Sequence, residues 1–125
     1  MQILVTSNGT DLDAPCSPIF GRCPTYMFVD PETMAFEAVP NPAVGARGGA
    51  GIQGAQFVVE RGVAAVVTGN VGPNAFNVLN AAHVPIYLYE GGSVRQAVAA
   101  YQAGELPTSG DASVAAHAGM RGQGG

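Results

Sequence analysis

Hydrophobic positions along the chain switch between two periods, and the switches mark the elements. Gln2 to Thr6, "QILVT", is a short run rich in apolar and β-branched residues, which predicts a strand. The following "SNGTDLDAPCSP" has the Gly, Asn, Asp and Pro density of a long polar loop. "TYMFVDPETMAFEAV" reads as two strands, about Thr25 to Asp30 and Met34 to Val39, joined by Asp30-Pro31-Glu32-Thr33. A hairpin there makes part of the sheet antiparallel. Beyond the Pro- and Gly-rich connection from Pro40 to Gly51, apolar residues at Ile52, Ala55, Val58 and Val59 form a helical stripe through Arg61, ended by Gly62.

The second half alternates strand and helix. Ala64 to Thr68 is a buried strand, Gly69 to Gly72 a turn, and Pro73 opens a helix to about Ala82. Val84 to Leu88 is the next strand. Ser93-Val94-Arg95-Gln96 reads as a capping box, and Val94, Ala97, Val98 and Tyr101 line a last helix closed by Gly104. The order is βββαβαβα. Successive right-handed crossovers place the strands at Ala64 and Val84 parallel, so the expected fold class is a three-layer α/β with a mixed, five-stranded sheet. One domain is expected over residues 1–106. The remainder, "PTSGDASVAAHAGMRGQGG", loses periodicity and is read as a flexible tail over residues 107–125.

Composition narrows the partners. The chain has 125 residues, 47% of them hydrophobic and only 11% charged. Its longest unbroken apolar run, Val63 to Val67, is far short of the roughly 20 residues of a membrane span, so no membrane is expected. The N-terminus lacks the basic flank and apolar stretch of an export signal, which gives a cytoplasmic expectation. Net charge is -4, there is no Lys, and the five arginines are scattered singly, so no basic stripe exists for nucleic acid. Cys16 and Cys23 stand apart from any second close pair, which leaves a zinc site poorly supported. Reduced, unpaired thiols are the simpler reading.

Gly49-Ala50-Gly51-Ile52-Gln53-Gly54 fits the G-x-G-x-x-G spacing of a dinucleotide-binding turn. Its context does not. A Pro-interrupted loop precedes it instead of a strand, and twenty residues on stand Asn70 to Asn74 instead of an acid. What remains is a glycine-rich approach that brings backbone N–H groups to a helix start, a place suited to anions. "GNVGPNAF", Gly69 to Phe76, makes a second such turn, with Gly72 in its bend and Asn70 and Asn74 as amide donors. Both turns belong at the carboxyl ends of the parallel strands, where ligands of α/β sheets collect. The glycines have a second reading, that they only make tight connections. Asn8, Asp13 and Arg22 would rim the same crevice, with Arg47 flanking the first turn. No acid lies in the first strand, and neither His83 nor His117 belongs to a triad motif, so no enzyme is expected.

"IFGRCPTYMFVD", "GGAGIQGAQ", "TGNVGPNAFNVL" and "GGSVRQAVAAYQAGEL" resemble the dinitrogenase iron-molybdenum cofactor biosynthesis family over about Met1 to Leu106. The resemblance is strongest to small stand-alone members, among which a molybdenum-copper sulfide cluster is held without covalent attachment. It implies a ribonuclease H-like fold without nuclease activity. It also implies non-catalytic binding, carriage or assembly of a molybdenum-containing metal-sulfur cluster, of Mo-Cu sulfide or Fe-Mo type, with cluster-donor or acceptor proteins as partners. The cofactor-binding residues it suggests are Asn8, Asp13, Phe20, Gly21, Arg22, Arg47, Gly49, Gly51, Asn70, Gly72 and Asn74, with Cys16 and Cys23 as soft metal ligands. Many relatives carry His directly before Phe-Gly-Arg; this chain has Ile19, so no histidine ligand carries over. The alternative is a binder or hydrolase of phosphates or nucleotides using the same turns.

Overall fold

Strand β1 (Ile3–Ser7) is buried along its whole length because it lies at the centre of the sheet and is covered on both faces. The sheet order is β3-β2-β1-β4-β5, with β2 at Thr25–Val29, β3 at Phe36–Pro40, β4 at Val66–Thr68 and β5 at Ile86–Leu88. β1–β2 and β2–β3 are antiparallel, while β1–β4 and β4–β5 are parallel, so the sheet is mixed as expected. The computed structural model describes residues 1–43 and 49–109. Arg47 and the tail from residue 110 onward, His117 included, lie outside the described residues.

Period-two alternation sends each strand's side chains to two separate cores. Leu4, Tyr26, Phe28, Val66 and Ile86 meet helices α1 (Ala50–Glu60) and α2 (Pro73–Ala81) on one face. Ile3, Val5, Met27, Val29 and Val67 meet α3 (Val94–Gln102) on the other. Three layers result, in the order βββαβαβα.

The ends of several elements differ from the sequence reading for identifiable reasons. Met34 was expected to start a strand, but it takes φ +65° and donates to the Asp30 carbonyl at 2.7 Å, so it belongs to the turn and β3 begins at Phe36. Val84 is still closing α2: its N–H reaches the Leu79 carbonyl at 2.9 Å while His83 N–H reaches Asn80 at 3.0 Å. That is a Schellman closure with His83, at φ +61°, where glycine is usual. The Ser93–Gln96 capping box forms as read, with both reciprocal bonds present. The expected tail also begins inside the fold. Leu88 N–H donates to Pro107 at 2.9 Å and Ser109 N–H to Ile86 at 2.8 Å, which supplies partners to the outer edge of β5. No described helix is long and apolar enough to cross a membrane.

α1 lies close to the sheet because Gly54 has no side chain. A Cβ built there would sit 2.1 Å from the Tyr26 hydroxyl oxygen and 3.3 Å from its ring carbon Cζ. That hydroxyl donates to the Phe20 carbonyl at 3.3 Å, and Phe20, Tyr26, Phe57 and Phe28 follow one another at ring separations of 5.5 to 6.1 Å. Gly54→Ala should therefore destabilise the chain by about 1–3 kcal/mol through overpacking. In a urea-denaturation cycle, Tyr26→Phe should relieve part of that loss by removing the clashing oxygen. His83→Gly, by contrast, should raise stability by up to about 1 kcal/mol, since glycine adopts φ > 0 without the steric penalty.

Candidate functional site

The loop that follows β1 is fastened across the carboxyl ends of β1 and β4. Thr6 Oγ1 donates to the Ser17 carbonyl at 2.8 Å and lies 3.0 Å from Thr68 Oγ1, while Ser17 N–H returns to the Thr6 carbonyl at 2.9 Å. Both threonine hydroxyls are buried and partnered, which keeps their burial inexpensive. From this anchor Ile19 pairs in parallel with Asn70, Phe20 N–H donates to the Asn70 carbonyl at 3.1 Å, and Phe20–Arg22 closes as a 3-10 turn. Three residues carry no periodicity, so this turn was not visible as an element in the sequence.

The turn sits directly against the start of α1. A Cβ on Gly21 would lie 3.0 Å from the Gly51 Cα and 3.1 Å from its nitrogen. A Cβ on Gly51 would in turn lie 3.4 Å from the Cβ of Ala75 and 3.7 Å from its nitrogen, in the first turn of α2. Phe-Gly-Arg, Gly-Ala-Gly and Gly-Pro-Asn-Ala are thereby stacked at one end of the molecule. Gly49 enters α1 at φ +72°, a left-handed conformation, which starts the helix two residues before Ile52.

Three helices start near this end, and they differ in how their first N–H groups are satisfied. At α3, Val94 N–H donates to Ala14, Arg95 N–H to Leu12 and Gln96 N–H to the Ser93 hydroxyl. At α1 and α2 the N-caps are Gly49 and Gly72, and neither start has a side-chain cap. The first intrahelical bonds begin at Gln53 and Phe76, and the N–H groups of Ala50, Gly51, Asn74 and Ala75 have no acceptor among the described residues. Two uncapped positive dipole ends therefore adjoin each other. Arg22 adds a full charge. Arg61 pairs with Glu37 and Arg95 with Asp13, whereas the exposed Arg22 guanidinium has no acidic partner among the described residues.

The structure thus brings together Phe20, Gly21, Arg22, Gly49, Gly51, Asn70, Gly72 and Asn74. It does not bring Asp13 to them: its carboxylate is 2.9 Å from Arg95 Nε, and that pairing holds it below the usual carboxylate range. Asn8 lies on the exposed loop, its N–H donating to Pro15 at 2.9 Å. The two cysteines are parted by the sheet. Cys16 packs with the α3 core and Cys23 with the α1–α2 core. Burial pushes the Cys16 thiol up to about 11 and Cys23 to about 12, which favours the neutral thiols in the metal-free chain. No group of three or more His, Cys, Asp or Glu able to hold a metal occurs among the described residues.

Asn41 went unnoticed in the sequence and is central to the site's support. Buried at 3% exposure, it donates through Nδ2 to the Gly21 carbonyl at 3.2 Å and the Cys23 carbonyl at 2.9 Å, and accepts from Ala43 N–H at 2.8 Å. It holds the 3-10 turn to the segment leading toward Gly49. Asn-Pro at 41 and 42 was the available signal, since Asn before Pro often makes an Asx turn.

The buried thiols give a pH prediction. Cys23 binds its proton more tightly in the folded chain than the ordinary 9.0 of an exposed thiol, so folding is favoured below pH 9 and that contribution is lost as pH rises toward about 12. Denaturation midpoints measured under reducing conditions should fall between pH 9 and 11, and Cys23→Ala should flatten that slope. An unchanged slope would mean the thiol is not held neutral by burial.

Solved structures share this fold. The apo form of the orange protein from Desulfovibrio gigas is 39% identical, with a TM-score of 0.85 over 89% of this chain and 94% of that one. A Thermotoga protein provisionally assigned as a NifB protein is 33% identical, with a TM-score of 0.75 over 94% of this chain and 98% of its own. An uncharacterised protein of Methanocaldococcus jannaschii is 29% identical over 93 residues, 72% of this chain and 79% of that protein. The family model described as dinitrogenase iron-molybdenum cofactor matches residues 1–104, and the two uncapped helix starts, the Phe-Gly-Arg turn and the mixed sheet all fall inside that span: the chain belongs to the dinitrogenase iron-molybdenum cofactor family.

Proposed function

We propose that the crevice between the 3-10 turn and the starts of α1 and α2 binds a molybdenum-containing metal-sulfur cluster, of Mo-Cu sulfide or Fe-Mo type, and carries it without catalysis. The observation that carries this reading is the convergence of uncapped N–H groups from two helices beside the turn that bears Arg22, an arginine with no acidic partner among the described residues. A sulfide cluster of this kind is a bulky polyanion whose sulfur atoms accept hydrogen bonds. Backbone N–H groups, the dipoles of two helices and one guanidinium suit it. Direct thiolate ligation is not needed for such binding, and the separation of Cys16 and Cys23 into different cores favours a cluster held non-covalently.

Family membership and likeness to the orange protein support the same reading. Loading and unloading would involve cluster-donor and acceptor proteins in the cytoplasm. Phosphates and nucleotides are anions that the same donors accept in principle, so the experiment must separate the two classes.

Purified apo-protein mixed anaerobically with tetrathiomolybdate and copper, or with an iron-molybdenum cluster, should show charge-transfer absorption that stays with the protein through gel filtration. Arg22→Ala should weaken retention about three- to tenfold, the worth of one solvent-accessible charged hydrogen bond. Absence of retained absorption, together with a saturable calorimetric signal for nucleotides, would reverse the assignment.

A further inference from the structure

Glu90 stands where the donor loop would place an anion. Tyr89 N–H donates to the Thr68 carbonyl at 3.0 Å, which carries the chain past the end of β5 and over the end of β4. Glu90 Oε2 then lies 3.5 Å from Asn70 Nδ2. The same amide nitrogen is 3.5 Å from the Pro18 carbonyl, so both amide hydrogens face acceptors at the outer limit of hydrogen bonding. Bonds this long exchange readily.

Gly69 makes the placement possible. A Cβ there would sit 3.1 Å from Glu90 Cγ and 2.7 Å from the Pro18 oxygen, so any larger residue would push the glutamate away from the loop. No arginine pairs with Glu90 among the described residues, since the ion pairs there are Arg61–Glu37 and Arg95–Asp13. An exposed carboxylate thus rests on an amide of the anion-binding loop with no cation to balance it.

We propose that Glu90 is a built-in competing anion for Asn70, and that its charge keeps the cluster removable, making the cluster cargo and not a resident group. This rests on the cluster-binding reading above. An incoming polyanion takes the Asn70 amide from Glu90 and remains under the repulsion of the displaced carboxylate. That repulsion lowers affinity, and affinity differences among variants of one site are read mostly in the rate of departure.

The test compares wild type with Glu90→Gln, which keeps the shape and removes the charge, and with Glu60→Gln as a charge-matched control. Glu60, the last residue of α1, lies about 15 Å along the helix from its start. Each protein is loaded with tetrathiomolybdate and copper, and loss of the charge-transfer band into excess chelator is followed by stopped flow. Glu90→Gln should release the cluster about three- to tenfold more slowly than wild type. The difference should shrink as salt is raised, while Glu60→Gln should match wild type. Equal release from wild type and Glu90→Gln, with the wild type well loaded, would overturn this inference and leave the cluster reading standing. Failure of every variant to load would remove both.

Discussion

A methyl group on Gly21 would lie 3.0 Å from the Cα of Gly51, whereas one on Gly51 would meet the Cβ of Ala75 at 3.4 Å, an ordinary packing contact. The whole candidate site depends on these backbone surfaces meeting without side chains between them. The approach lets a 3-10 turn and two helix starts share one small region, and it leaves the first-turn N–H groups of both helices beside one another. Asn41 holds the turn from beneath, and Asn70 holds it through the Phe20 N–H. Enlarging Gly21 would separate the turn from the start of α1 before it disturbed the sheet.

The helix starts show how the fold separates structure from binding. α3 has its first three N–H groups satisfied by Ala14, Leu12 and Ser93, so it serves as support for the loop that crosses the strand ends. α1 and α2 begin on glycines with no such satisfaction from the described residues. Unmet donors next to a dipole end favour an anion. Weak attachment would suit the proposed carrier role. A cluster bound through metal-thiolate bonds would be far harder to pass on.

Element types and order could be read from the sequence because period, turn residues and caps agreed with one another. The capping box at Ser93, the glycines at 62 and 104 and the Pro at 73 each mark an end by a local backbone rule, and each is found in place. Met34 and His83 broke such a rule by taking positive φ without being glycine, and the strands after them start later than the pattern suggested. The glycine-rich stretches were legible as helix approaches. Their partners were not, because which loop meets which is set by strand order.

The sequence by itself determined the periodicities, the absence of a basic stripe or strand-one acid, and the presence of two donor-rich turns, since these follow from residue types at fixed local spacings. Only the tertiary structure decided that Gly21, Gly51 and Ala75 stack, that Asp13 pairs with Arg95 away from the crevice, and that Glu90 rests on Asn70. It also parted Cys16 from Cys23, seven positions apart in sequence, by sending them to opposite faces of the sheet. Contacts between residues 20 to 82 positions apart arise from sheet order and helix placement, which local patterns constrain but do not specify.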